Sequence, residues 1–134
     1  MLSLKQVFDK VNAQEDPSIG LIKDGTIFYL VFNKDENTFT NDVLDKLHRL
    51  LDVVENSEGA ACLVTIGTGS RFYSTGFNLG FWAADFKNMV TSMSNFQRLF
   101  ARMLTLNVPS LAVINGHAYA GGLLFAISHD FRIM

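Results

Sequence analysis

A chain of 134 residues, 49% hydrophobic and 18% charged, has material for one domain with a buried core over residues 1–134 and too little for two. Its net charge of −2 supplies no basic stripe and argues against nucleic acid as a partner, and its composition is the reverse of a disordered chain's. The single cysteine, Cys62, excludes an internal disulfide or a cysteine-based zinc cluster and reads as a small buried hydrophobe in a strand.

No apolar run approaches the ~18 residues of a membrane span. Met1 to Gln6 carry no signal-peptide core, so an intracellular, reducing compartment is expected. Ser3 is placed to cap a helix through about Val11, with Leu4, Val7, Phe8 and Val11 on one face. Asp16-Pro17 breaks it. Ile19–Ile22 and Thr26–Phe32 read as two strands of a hairpin joined across Lys23-Asp24-Gly25. After a polar loop from Asn33 to Asn37, Thr40 caps a helix running to Glu55, with Leu44, Leu47, Leu51 and Val54 at helical spacing.

Ala61–Ile66 is a short apolar run bounded by glycines, as in a buried strand of a sheet covered by helices. A long helix is expected from Ala84 to Leu106, with Phe86, Met89, Val90, Met93, Phe96, Phe100, Met103 and Leu104 on its apolar face, and Pro109 stops it. Core packing is the simplest role for that face; lining an apolar acyl pocket is the alternative. Ser110–Ile114 is another strand, followed by a helix from Gly121 to about Ser128. A last strand, starting at Asp130, reads as buried, and a chain stopping on such a strand at Met134 reads as part of a longer one. This late strand–helix–strand alternation implies an α/β architecture with parallel crossovers.

Two glycine-containing corners each follow a buried strand and precede a helix: Tyr73–Leu79 and Gly116–Gly122. In a parallel sheet, loops after neighbouring strands gather at one edge, where ligands bind. One backbone N–H from each corner then points at a single oxygen, the geometry of an oxyanion hole. Two ordinary tight loops are the other reading. No Lys-Ser/Thr follows the glycines, so a P-loop is excluded, and no Gly-x-Ser-x-Gly elbow surrounds Ser74. His48 falls on the solvated side of its helix, and His117 has no carboxylate beside it. His129-Asp130 stands at a helix end, where an imidazolium suits the dipole, and reads as structural. No histidine pair has metal-ligand spacing, and no metal is implied.

Taken together, the corners resemble the enoyl-CoA hydratase/isomerase (crotonase) superfamily. Tyr73-Ser74-Thr75-Gly76-Phe77-Asn78-Leu79 is similar to its Phe-Ser-x-Gly-hydrophobic-Asp-Leu motif, and Asn115-Gly116-His117-Ala118-Tyr119-Ala120-Gly121-Gly122 to its Asn-Gly-x-Ala-x-x-Gly-Gly motif. Their order and separation also fit, and within the superfamily they look most like plant-type peroxisomal delta-3, delta-2 enoyl-CoA isomerases. The resemblance, which runs from about Gly20 to the end, implies the N-terminal part of a crotonase-like spiral of β-β-α units. It implies an acyl-CoA thioester as partner, with coenzyme A belonging to the substrate and no separate cofactor. It implies Phe77 and Gly121 as backbone donors to the thioester oxygen, coenzyme A along Ser74, Thr75, Gly76, Phe77 and Asn78, and Arg71 as a phosphate contact. A homotrimer and a peroxisomal location follow from it too, with mitochondrion or cytosol as other compartments.

Two residues and one expected absence depart from the family pattern. Asn78 replaces the usual aspartate and is expected to weaken a structural hydrogen bond. Leu124 stands where hydratases of the family carry one of two glutamates, which disfavours addition of water. The single glutamate an isomerase needs is expected beyond Met134. An isomerase of unsaturated fatty acyl-CoA in β-oxidation is therefore the leading expectation. An inactive acyl-CoA-binding pseudoenzyme or oligomer partner stands second, and a purely structural domain third.

Overall fold

A computed structural model describes all of residues 1–134. The helix α1 (Leu4–Asn12) starts at a capping box in which the Ser3 hydroxyl and the Gln6 side chain each accept the other's backbone N–H. Strands β1 (Ile19–Asp24) and β2 (Ile27–Phe32) form an antiparallel hairpin in which Asp24 faces Ile27 and Gly25 takes the left-handed conformation that the turn requires. A short strand β3 (Thr38–Phe39) leads to α2 (Asn41–Glu55), capped by Thr40. Strand β4 (Cys62–Gly67) is followed by β5 (Phe72–Ser74), β6 (Gly76–Phe77), the short helix α3 (Leu79–Ala84) and the long helix α4 (Phe86–Leu104). Strand β7 (Ser110–Val113), the two-residue β8 (His117–Ala118), α5 (Ala120–Ile127) and β9 (Phe131–Ile133) complete the chain.

The main sheet has the order β1-β2-β4-β7-β9, parallel from β2 onward. Alternation along β2 sends Phe28, Leu30 and Phe32 to the larger core under α2, α4 and α5, and Tyr29 and Val31 to the smaller one under α1. Helices thus cover both faces, which is why β2 and β4 read as apolar runs. Two small parallel pairs, β3–β6 and β5–β8, stand apart from this sheet and carry both glycine corners. No helix is long and apolar enough to cross a membrane.

Five expectations are corrected. The long helix is two, broken where the extended Asp85 caps α4 through the Lys87 N–H. Its buried side consists of Ser92, Asn95, Phe96, Leu99 and Met103, whereas Phe86, Val90 and Met93 are 69%, 52% and 43% exposed. Polar Ser92 and Asn95 go inward because α2 supplies partners, Asn41 for Ser92 and Asp45 for Asn95. His48 is half-buried between α2 and α4 beside the Arg102 guanidinium, not simply solvated. Cys62 is only half-buried because it opens its strand. Finally, β9 is exposed along its length, having β7 as its sole neighbour.

Candidate active site

The first corner is built on a loop that precedes it by some forty residues. Asn37, buried and left-handed (φ 49°), donates its side-chain amide to the Tyr73 carbonyl at 3.0 Å and accepts the Lys34 N–H at 2.8 Å. The Ser74 hydroxyl donates to the Asn37 carbonyl (2.7 Å) and accepts the Gly76 N–H (3.1 Å), so it is a pin in the backbone rather than a nucleophile. The Thr75 N–H donates to the Glu36 carbonyl at 2.9 Å. Gly76 follows with φ 85°, a conformation that side chains oppose. Asn78 caps α3 by accepting the Phe81 N–H at 2.9 Å. The neutral amide oxygen thus makes the cap bond, without the charge a carboxylate would add, while its nitrogen reaches the Thr38 hydroxyl at 3.4 Å.

The second corner is tied down at Asn115, whose side chain accepts the Gly67 N–H (3.0 Å) and donates to the Gly67 and Gly69 carbonyls, clamping the end of β4. A Cβ at Gly116 would lie 2.6 Å from the Arg71 carbonyl carbon, so only glycine lets β8 approach β5. Ala120, the first residue of α5, has φ 44°, a strained value for a residue with a side chain. The Gly121 N–H that follows has no backbone acceptor, as expected in the first turn of a helix.

These corners meet. The Tyr119 N–H donates to the Ser74 carbonyl at 3.0 Å, and a Cβ at Gly122 would run into that same carbonyl. A Cβ at Gly76 would sit 2.7 Å from Gly121 N, and one at Gly121 would sit 3.3 Å from the Phe77 ring. Because the Asn78 N–H donates to Phe39, and successive N–H groups of a strand point to opposite sides, the Phe77 N–H faces away from β3. The arrangement brings Ser74, Thr75, Gly76, Phe77, Asn78 and Gly121 together. Arg71 it leaves at the far end of β5, exposed, with its guanidinium 4.8 Å from the Phe72 ring.

One side of the first corner is aromatic. The Phe77 ring packs 4.6 Å from Trp82 and 5.0 Å from Phe96, centroid to centroid, and the Trp82 indole N–H is buried without an acceptor. A cavity of about 370 Å³ lined by Glu36, Thr38, Thr75, Phe77, Asn78 and Leu79 opens beside the first corner. Below, Tyr73, Thr65 and His129 form a buried polar chain. Burial pushes the Tyr73 phenol above its ordinary value and lowers His129 to about 4, so His129 is a neutral imidazole and not the imidazolium expected at a helix end. Asp130 is held below the usual carboxylate range by the Ser110 backbone and hydroxyl.

Chemically, a helix-start N–H without a backbone acceptor can hold an oxygen on which negative charge develops. Sequence reasoning missed Asn37 and the strain at Ala120, and quoted Asn115 without a role. An asparagine closing a polar loop was the one available sign for Asn37, since that residue tolerates the left-handed region.

Residues 9–134 match the model of the enoyl-CoA hydratase/isomerase family. Enoyl-CoA delta isomerase 3 of Arabidopsis thaliana is 36% identical over 121 residues, covering 85% of this chain and 50% of its own. The peroxisomal enoyl-CoA delta isomerase 2 of the same plant is 31% identical over 122 residues, with the same coverage. Among solved structures, Pseudomonas aeruginosa DspI superposes with a TM-score of 0.81 at 27% identity, covering 89% of this chain and 46% of that one. An enoyl-CoA hydratase from Bacillus anthracis, at 20% identity and a TM-score of 0.80, covers 86% of this chain and 46% of its own, a likeness of fold alone. The chain thus spans about half the length of the relatives it matches.

Proposed function

The chain belongs to the enoyl-CoA hydratase/isomerase family, and on that premise we propose that it binds a fatty acyl-CoA with the thioester oxygen between the backbone N–H groups of Phe77 and Gly121. The observation that carries this reading is the contact of the two corners, with Gly76 against Gly121 N and the Gly121 N–H without a backbone acceptor. When a proton leaves the carbon next to the thioester carbonyl, its electron pair moves onto that oxygen, and the two donors lower the energy of the enolate. One such donor is worth about 3–4 kcal/mol in a transition state. Coenzyme A is assigned to the cavity beside Thr75–Asn78, with Arg71 as a phosphate contact.

Of the family's reactions, moving a double bond between the third and second carbons is the one we assign. Leu124, one turn past Gly121, offers no carboxylate to activate water, and the relatives at 31–36% identity are named delta isomerases. The carboxylate that shuttles the proton is assigned to the part of the relatives' length that this chain does not span. A peroxisomal setting follows the names of two relatives, and a homotrimer follows the family resemblance.

An acyl-CoA-binding module without turnover is the second reading, favoured by one observation: Leu124, one turn past Gly121, carries no carboxylate. The carboxylates nearest the two donors in sequence are engaged, Asp85 by the Lys87 N–H at 2.9 Å and Asp130 by the Ser110 N–H and hydroxyl at 2.8 and 2.9 Å. Titration of the chain with hexanoyl-CoA, followed by the fluorescence of Trp82, tests what both readings share. A saturable change is expected, with little conversion of 3-hexenoyl-CoA. No binding by the folded protein contradicts both readings, and brisk conversion places a base within the chain.

A further inference from the structure

The buried polar chain beneath the corners takes no part in the steps above. Tyr73 Oη lies 2.6 Å from Thr65 Oγ1, Thr65 Oγ1 lies 3.0 Å from His129 Nε2, and His129 Nδ1 lies 2.8 Å from the Phe125 carbonyl oxygen. All three side chains are at most 3% exposed. A carbonyl only accepts, so Nδ1 carries the ring proton and Nε2 is an acceptor. Thr65 must then donate to His129, and Tyr73 must donate to Thr65. The order of donors has one solution, and every donor in it is used.

Each link belongs to a different element. Tyr73 is in β5, one residue before the Ser74 pin. Thr65 is in the central strand β4. His129 follows α5 and donates to the Phe125 carbonyl in its last turn, a group that also accepts the Ser128 hydroxyl at 2.6 Å. The Gly121 N–H stands at the other end of that eight-residue helix, about 6 Å from Phe125 along the axis at 1.5 Å per residue. A helix this short moves as a body, so what fixes the Phe125 carbonyl also fixes the Gly121 N–H. The Tyr119–Ser74 bond holds the start of α5, the apolar packing of Phe125 and Ala126 is not directional, and the polar chain adds a directional hold at the far end of the helix.

We propose that Tyr73, Thr65 and His129 are positioning residues, a hydrogen-bonded tie that sets the spacing between the Phe77 and Gly121 donors by joining the strand of one corner to the helix of the other. This rests on the acyl-CoA reading above. A misplacement of about 1 Å at a site of this kind costs up to ~100-fold, whereas the coenzyme A cavity beside Thr75–Asn78 is not routed through the tie.

The test uses acetoacetyl-CoA, whose C2–H is acidic enough to ionise without a protein base. The C–H bond breaks, the proton passes to water, and the electron pair spreads onto the thioester oxygen, giving an enolate that absorbs in the near ultraviolet. The unaltered chain is expected to accumulate bound enolate. Thr65→Val is expected to weaken enolate binding at least about tenfold, with affinity for free coenzyme A unchanged, and Thr65→Ser is expected to restore it. A purely structural role moves both affinities together or neither, and either result overturns the proposal. Should Thr65→Val not fold, Tyr73→Phe decides: it removes one terminal hydroxyl and is expected to lose enolate affinity several-fold, and no loss overturns the tie. An unaltered chain that binds coenzyme A yet forms no enolate overturns instead the reading on which the tie rests.

Discussion

Gly122 has no room for a methyl group, since a Cβ there would run into the Ser74 carbonyl, and the corners could no longer touch. Neighbouring Ala120 keeps its side chain at φ 44°, a strain of order 1–3 kcal/mol. The double glycine was legible as part of a ligand-facing corner, but the strain was not, because nothing in an alanine advertises φ. His129 was legible only as the end of a helix. Its true partners, Thr65 and the Phe125 carbonyl, lie 64 residues away and one turn back. Held neutral and lowered to about 4 by burial, it binds a proton more readily in the unfolded chain than in the folded one. Stability from this group is therefore complete above pH 6.5 and falls as pH drops from 6.5 to 4, by about 3 kcal/mol. Urea unfolding across that range is expected to show the fall, and His129→Gln is expected to flatten it. An unchanged slope in the variant would place the titrating group elsewhere.

At the scale of elements, the periodic segments were readable and the short ones were not. Leu44, Leu47, Leu51 and Val54 are all buried on α2, as their spacing requires. Strands β3, β6 and β8 have two residues each, too few for any period, and exist because the corners pack against each other. The long helix misled for another reason: hydrophobicity alone placed Phe86, Val90 and Met93 inward, while hydrogen bonds to Asn41 and Asp45 turned Ser92 and Asn95 in instead. The α2–α4 contact is closed by Arg102, which donates to both Glu55 oxygens (3.2 and 2.9 Å), to Asp52 (2.6 Å) and to the His48 carbonyl (2.9 Å). Burial disfavours its charge, yet Glu55 and Asp52 hold it above its ordinary value. A lysine cannot make the forked contact. Arg102→Lys is expected to lower stability by about 1–2 kcal/mol in urea unfolding, and a change within error would mean that this ion cluster is merely solvated.

For the whole molecule, the three-layer arrangement and its parallel sheet followed from alternating strands and helices, and the family followed from two motifs in order. Least legible was the far edge, where β9 reads as apolar and buried but stands exposed beside β7. What the fold achieves is to bring Gly76–Phe77 and Gly121, some 45 positions apart in the chain, so close that a Cβ on Gly76 would sit 2.7 Å from Gly121 N. That contact is the centre of the account, and one comparison isolates it: the affinity of the chain for hexanoyl-CoA against hexyl-CoA, the thioether that lacks only the carbonyl oxygen. The thioester is expected to bind at least about tenfold more tightly, the equivalent of 1.4 kcal/mol for hydrogen bonds the thioether cannot accept. Equal affinities would mean that the two N–H groups do not hold the thioester oxygen.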